Sequence, residues 1–452
     1  MDTDILILDQ HTLKDLEIFA SNATENSLFK FCNLTRSDGG ADVLYRRMQA
    51  PWSSAVRIQN TQAAVAFVMQ QRACFANMPS AYAIDRTHAY LHEVMPVITD
   101  RNLIEFGFSA FSLRANHDRY YYKIITGVQV TNGLIRKAKA FVNQPTLTSA
   151  AGEVAPYINE MREILDRPRL KKLVDDDVGG WFWKILRLDQ MFRLDEKVSI
   201  NRILKLVFEI DALIAMADVT SQNKFVMPDL QEGPLAINAE SLVHPFVPSP
   251  VPNAVTLDQN QRVLFLTGPN MAAKTTYLRA IATALYFAHL GMGVPASSFK
   301  FTPAQHLFSS ISLSDDLHNG VSYFRAEALR AKAVAQAIAD GNRVIALLDE
   351  PFKGTNVKDA LDASLAILER FSTKQDCLFI FSSHLIELSD ELTVTQQIDC
   401  RYFEADESTE TLGFDYLLRS GVSSQRLGMR VLQEEGVFEL LDSEKPKTQN
   451  SS

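Results

Sequence analysis

The chain has 452 residues, 46% of them hydrophobic and 22% charged, with a formal net charge of −9 at pH 7. That is a globular composition, long enough for two or three domains with cores of their own, and its negative balance argues against a protein that coats nucleic acid by bulk charge. No apolar run approaches 18 residues and no basic stretch precedes an apolar one at Met1, so neither membrane insertion nor export is expected.

Residues 10 to 220 read as apolar-periodic helices, with turn signals at Asp38-Gly39-Gly40, Asn143-Gln144-Pro145 and Asp177-Val178-Gly179-Gly180. Basic rows here (Arg114, Arg119, Lys123, Arg136, Lys137 and Lys139 with Tyr120, Tyr121 and Tyr122 interleaved, then Arg167, Arg169, Lys171 and Lys172) are the candidate faces for nucleic-acid phosphates. Solvated helix faces have the same pattern. Pro228 to Pro252 is proline-rich and marks a linker turning into short strands; beyond Gln261 strands alternate with helices, which implies a largely parallel, covered sheet. The expected organisation is therefore all-α followed by α/β, with a helical domain over 1–225, a nucleotide-binding domain over 226–440 and a disordered polar tail over 441–452. Cys32, Cys74, Cys377 and Cys400 show no metal-ligand spacing and read as reduced core residues of a cytoplasmic protein.

The run VLFLTGPNMAAKTT, residues 263 to 276, carries the chemistry. A buried strand, Val263 to Leu266, breaks at Gly268, and a helical stripe of Leu278, Ile281, Ala282 and Leu285 follows from Thr275. Such a turn aims backbone N–H groups and a helix N-terminus at one spot, which suits the β- and γ-phosphates of a nucleotide. Lys274 supplies the mobile charge and the Thr275 hydroxyl a ligand for Mg²⁺. Gly268, Lys274 and Thr275 have the spacing of a P-loop (Walker A), except that Ala273 stands where that motif has glycine; alanine there costs roughly 1–2 kcal/mol if the backbone is left-handed. The helix after Phe324 has an apolar stripe (Leu329, Val334, Ile338) expected to pack on the sheet. VIALLDE, residues 344 to 350, is a second buried strand ending in two carboxylates; Asp349 is placed to hold the metal through water and Glu350 to orient the attacking water. After a third strand, Cys377 to Phe381, His384 is placed to reach the γ-phosphate.

These segments, in this order, resemble the MutS family of DNA mismatch-repair and recombination ATPases. TGPNMAAKTTYLRA resembles that family's phosphate loop, including the unusual Asn270 and Met271; SLSDDLHNGVSYFRAE, residues 312 to 327, resembles its serine segment with Ser322, Phe324 and Glu327. LLDEPFKGTNVKDA, IFSSHLIEL and LGFDYLLRSGVSSQRLGMRV resemble the three that follow, Arg426 and Leu427 departing from a Ser-aromatic pair. Upstream, ILDQHTLKDLEIF, residues 7 to 19, and NLTRSDGGADVLYRRMQAPW, residues 33 to 52, resemble the opening of the family's core domain, and LVFEIDALIAMA, residues 206 to 217, its return helix. So few residues precede that opening that the mismatch-recognition and connector domains are expected to be absent.

The resemblance implies an ABC-type ATPase using ATP and Mg²⁺ in a homodimer paired through its ATPase domains, with Ser322 of one subunit capping the γ-phosphate held by the other, and DNA as the partner. It implies a nucleotide site formed by Gly268, Pro269, Asn270, Met271, Ala272, Ala273, Lys274, Thr275 and Thr276, with Asn253 and His244 on the adenine side. It also implies Thr275 and Asp349 at the metal, and Glu350, His384 and Ser322 as the catalytic set. The family's adenine-stacking aromatic falls near Pro250, which leaves Phe246 as its substitute. The competing expectation is an ATP-gated scaffold with vestigial hydrolysis and no direct DNA binding.

Overall fold

The computed structural model describes residues 4–20, 26–173, 181–269, 272–311, 323–385, 387–392, 397–406, 413–423, 425 and 427–442. The chain forms two compact units: one takes in Met1–Ile18, Pro228–Tyr286 and Val294–Ser452, the other Phe19–Met227 and Phe287–Gly293. The opening segment, expected in the helical domain, thus belongs with the sheet. Its short helix α1 (Gln10–Asp15) starts at an Asp9 cap that accepts from Thr12 N at 2.9 Å.

The second unit is helical. Its main elements are α2 (Asp38–Gln49), α3 (Ala55–Gln70), α4 (Ala81–His92), α5 (Leu103–Asn116), α6 (Asp118–Val142), α7 (Val154–Leu165), α8 (Phe182–Gln190) and α9 (Lys197–Gln222). The 26 residues of α9 supply the centre of this core, burying Ile203, Val207, Ile210 and Ile214 among others against α2, α3 and α7. The Asp38-Gly39-Gly40 turn signal is overturned: these residues are the first turn of α2, capped by Ser37, whose hydroxyl accepts from Gly40 N at 3.1 Å. Asp211 on α9 explains the glycine. Its buried carboxylate accepts from Arg36 N, Ser37 N and Ser37 Oγ, the last at 2.7 Å, and a Cβ on Gly40 would stand 2.2 Å from its Oδ2. The break after Val142 occurs where expected, while that at Asp177 to Gly180 lies outside the described residues.

The first unit is built on a six-stranded sheet. Its strands are β3 (Val263–Thr267), β5 (His306–Ser310), β6 (Val344–Asp349), β7 (Cys377–Ser382), β8 (Ile398–Tyr402) and β9 (Arg419–Ser420), in the order β9-β8-β3-β7-β6-β5. Every pairing is parallel except β9 with β8. A smaller sheet contains β1 (Ile237–Leu242), β2 (Asn253–Leu257) and β4 (Ser298–Phe301), with the two-residue strand Asp229–Leu230 at its edge. Helices α10 (Lys274–Leu290), α11 (Tyr323–Ala339) and α12 (Val357–Ser372) complete the alternation. β3 and β7 are buried throughout, as parallel strands covered on both faces must be. On one face Phe265, Phe379 and Phe381 pack with Val334 and Ala337 of α11 and Leu368 and Phe371 of α12, Phe371 stacking on Phe379 at 4.1 Å. Val334 and Ile338 of the stripe after Phe324 therefore pack on the sheet while Leu329 is half exposed, and each buried Phe contributes roughly 2–3 kcal/mol.

Candidate functional site

The site grows from the C-terminal ends of three adjacent strands, β3, β7 and β6, where a parallel sheet opens a crevice. At the end of β3, Gly268 has φ +137°, and a Cβ there would stand 2.7 Å from the carbonyl oxygen of Phe403, so only glycine turns the chain here. Five residues on, Ala273 has φ +74°. The alanine that replaces the motif's glycine does sit in the left-handed region, at a cost of about 1–2 kcal/mol. Ala272 is buried and donates its N–H to Pro269 O at 3.2 Å; Asn270 and Met271 lie outside the described residues.

Helix α10 begins at Lys274, whose side chain is 5% exposed. Its Nζ donates to Gly268 O at 2.7 Å and Pro269 O at 3.2 Å, and lies 3.8 Å from Glu350 Oε1. Burial pushes its pKa down, opposed by the charges of Glu350 and Asp349. Thr275 Oγ1 donates to Asp349 Oδ2 at 2.6 Å, and Ser382 Oγ, from the strand between, donates to the other carboxylate oxygen. Asp349 ends β6; Glu350 leaves the strand with φ +47° and its N–H donates to Ser382 O at 3.0 Å. His384 is half-exposed, with Nδ1 3.8 Å from the same Glu350 oxygen that faces Lys274. Lys274, Thr275, Asp349, Glu350 and His384, from three separate strand ends, are thus brought together; Ser322 lies outside the described residues. Buried Glu327 on α11 accepts from Gly354 N at 3.4 Å and bonds the N–H groups of Phe352 and Lys353, so it braces the turn after β6.

Two adjoining cavities share Ala273 and Thr276 as wall. One, about 380 Å³, is lined by Pro269, Lys274, Thr275, Ile311, Asp349, Glu350 and Lys353. The other, about 410 Å³, is more apolar, lined by His244, Val247, Pro248, Pro250, Asn253, Tyr277, Phe403 and Tyr416 among others. His244 falls to a pKa of about 4, through burial and then the Arg279 charge, and is neutral at pH 7.

Phe246 does not line this cavity; its ring stands edge-on to His244 at 5.5 Å. The exposed aromatic on the wall is Tyr416, 41% exposed and stacked on Phe414. Sequence reasoning missed it, although the alternation of Phe414 and Tyr416 was there to read. Asn253 lines the cavity but its amide is engaged: Nδ2 donates to Tyr416 O at 2.9 Å and Oδ1 accepts from Leu418 N at 2.7 Å. It holds the Tyr416 loop in place. Ser423 N donates to Thr267 Oγ1 at 3.0 Å, tying the closing segment to the residue before the glycine turn.

The hard oxygens of Thr275 and Asp349, paired over the charged cavity, suit Mg²⁺, which takes few protein ligands and keeps phosphate and water oxygens for the rest. Among the described residues no cluster of three His, Cys, Asp or Glu could hold a metal on its own. No described helix is long and apolar enough to cross a membrane.

Residues 264–445 match the family model of MutS domain V. The chain is 28% identical over 323 residues to the DNA mismatch repair protein MutS of Lactobacillus gasseri, a match covering 69% of this chain and 36% of that protein. The DNA mismatch repair protein MutS of Lactobacillus johnsonii matches with the same identity and coverage. The chain thus spans little more than a third of the length of these curated relatives.

Proposed function

We propose, from its membership of the MutS family, that the chain binds and hydrolyses ATP as a homodimer whose helical unit engages DNA. The observation that carries this reading is the pair of joined cavities, one apolar with neutral His244 and Tyr416 on its wall, the other holding Lys274, Thr275, Asp349 and Glu350. A base stacked on Tyr416 would leave its triphosphate over the N-terminus of α10. Lys274 would exchange its loop carbonyls for phosphate oxygens, and Glu350, 3.8 Å from both Lys274 and His384, would orient the attacking water. Thr275 and Asp349 would hold Mg²⁺, which when bound offsets the phosphate charge. Ser322 of the second subunit would complete the ring of donors around the γ-phosphate, so that turnover reports dimer closure.

For DNA, support comes from the region where α5, α6 and α8 converge. Arg114 lies over Tyr121 at 5.5 Å and Phe182 at 5.1 Å, while Phe108, Phe111, Tyr122, Trp181 and Trp183 are exposed. Cations set among bare aromatic rings suit phosphates and bases together. The left-handed Ala273 favours a second reading, an ATP-gated scaffold with slow hydrolysis. Calorimetry with ATP and magnesium, then turnover and salt-dependent binding to duplex, branched and single-stranded DNA, tests both. Absence of nucleotide uptake sinks the site; uptake without turnover or DNA binding favours the scaffold.

A further inference from the structure

The opening segment makes a set of contacts that the nucleotide chemistry does not itself require. Ile7 adds a parallel bridge at the edge of β5, donating to Gln305 O at 2.8 Å and accepting from Leu307 N at 3.2 Å. From α1, Thr12 Oγ1 accepts from Ser309 N at 3.0 Å and from Arg330 Nη2 at 2.9 Å. Buried Asp15 accepts from Ser309 Oγ at 3.0 Å and from Ile311 N at 2.7 Å. Arg330, on α11 and 5% exposed, also binds Ser309 O and Asp9. Past α1, Glu17 Oε1 pairs with Arg279 Nη1 at 2.7 Å, one turn after Thr275 on α10. Four residues of one short segment, Asp9, Thr12, Asp15 and Glu17, thereby reach the end of β5, α11 and α10.

Ile311 gives these contacts a consequence, because it is a wall of the charged cavity, facing the group of Lys274, Asp349 and Glu350. Its backbone N–H is held by the Asp15 carboxylate, a charge-assisted hydrogen bond in a buried setting. We propose that Asp15 is a positioning residue for ATP hydrolysis, fixing Ile311 as the wall of the phosphate cavity, with Thr12 and Arg330 holding the end of β5 beside it. The proposal rests on the ATPase reading above.

Steady-state hydrolysis and fluorescent-nucleotide affinity of the wild type, Asp15→Ala, Asp15→Asn and Ile311→Ala test this. Asp15→Ala should lower kcat about tenfold with ATP affinity within about threefold, the split of a group that acts on the reacting geometry and not on binding. Asp15→Asn, with its amide oxygen in the place of Oδ2, can accept from both Ile311 N–H and the Ser309 hydroxyl and should recover kcat to within about twofold of wild type. Ile311→Ala leaves Asp15 untouched and should reproduce the loss. An Asp15→Ala protein that melts as wild type and turns over at the wild-type rate overturns the assignment. So does a parallel fall of kcat and affinity in Asp15→Ala, or an Ile311→Ala enzyme of full activity. A wild type that binds no ATP removes the parent reading and this inference with it, whereas an active wild type with indifferent variants removes this inference alone.

Discussion

Thr275 Oγ1 donates to Asp349 Oδ2 at 2.6 Å, joining the first turn of the helix that follows the glycine loop to the end of a strand two places away in the sheet. The contact draws the candidate metal oxygens together, and Lys274, next in the chain, is buried under the same roof. Lys274→Ala should therefore lose nucleotide uptake, by at least about a hundredfold in Kd, because it removes the buried cation at the start of the helix over the charged cavity. Unchanged affinity by calorimetry would remove the phosphate-site assignment.

Glu350→Gln retains size and hydrogen bonding but not charge. ATP binding should persist while turnover falls about a hundredfold or more, the usual scale for losing a general base. A variant with wild-type turnover would take Glu350 out of the mechanism.

Ala273→Gly relieves a non-glycine φ of +74°. It should stabilise the protein by about 1 kcal/mol, less the extra entropy glycine gives the unfolded chain, and it should tighten nucleotide binding. A lower melting temperature and weaker ATP uptake in the variant would show that the methyl group packs usefully between the two cavities.

His289 and His244 give the pH dependence its sign. Burial lowers His289 to about 4 even though its Nδ1–H donates to Trp52 O at 2.6 Å, and burial with the Arg279 charge does the same to His244. Both folded values lie below the ordinary 6.5, so the stability they contribute is present above pH 6.5 and is lost as pH falls from about 6.5 towards 4. The melting temperature should drop across that window, and His289→Gln should flatten the drop. An unchanged slope would assign the acid sensitivity elsewhere.

Arg114 stands over Tyr121 and Phe182 beside exposed Trp181 and Trp183. Replacing both tryptophans by Ala should weaken single-stranded DNA binding by about 2 kcal/mol or more at fixed salt, and Arg114→Ala should reduce the salt slope by about 1. Wild-type affinity in the double variant would move the DNA surface elsewhere on the molecule.

What the sequence disclosed was local. Val263 to Leu266 and Val344 to Leu348 were legible as strands because buried parallel strands are continuous apolar runs, Asp349 and Glu350 because they close the second run, and Lys274 because it opens the helix after the glycine turn. Asp38-Gly39-Gly40 misled because the glycine serves a close approach to Asp211, 171 residues away in the chain, and not a turn. Phe246 was named as the substitute for the aromatic expected near Pro250 because it is close by in sequence, whereas the ring on the cavity wall, Tyr416, comes from the far end of the chain and is held there by the Asn253 amide. Membership of the opening segment in the sheet unit was equally hidden, since it depends on Thr12 and Asp15 meeting Ser309.

The Asn253 and Thr267 bonds to the closing segment set an order of events during synthesis. Lys274 and its loop leave the ribosome early, but the ring of Tyr416 and the anchor at Ser423 emerge only after both carboxylates and β8 have been made. On the proposed reading, a nascent chain would bury its parallel strands before it could seat a purine, so ligand-linked stabilisation would reach it late in translation, and chains truncated ahead of Tyr416 would be left to proteolysis without it.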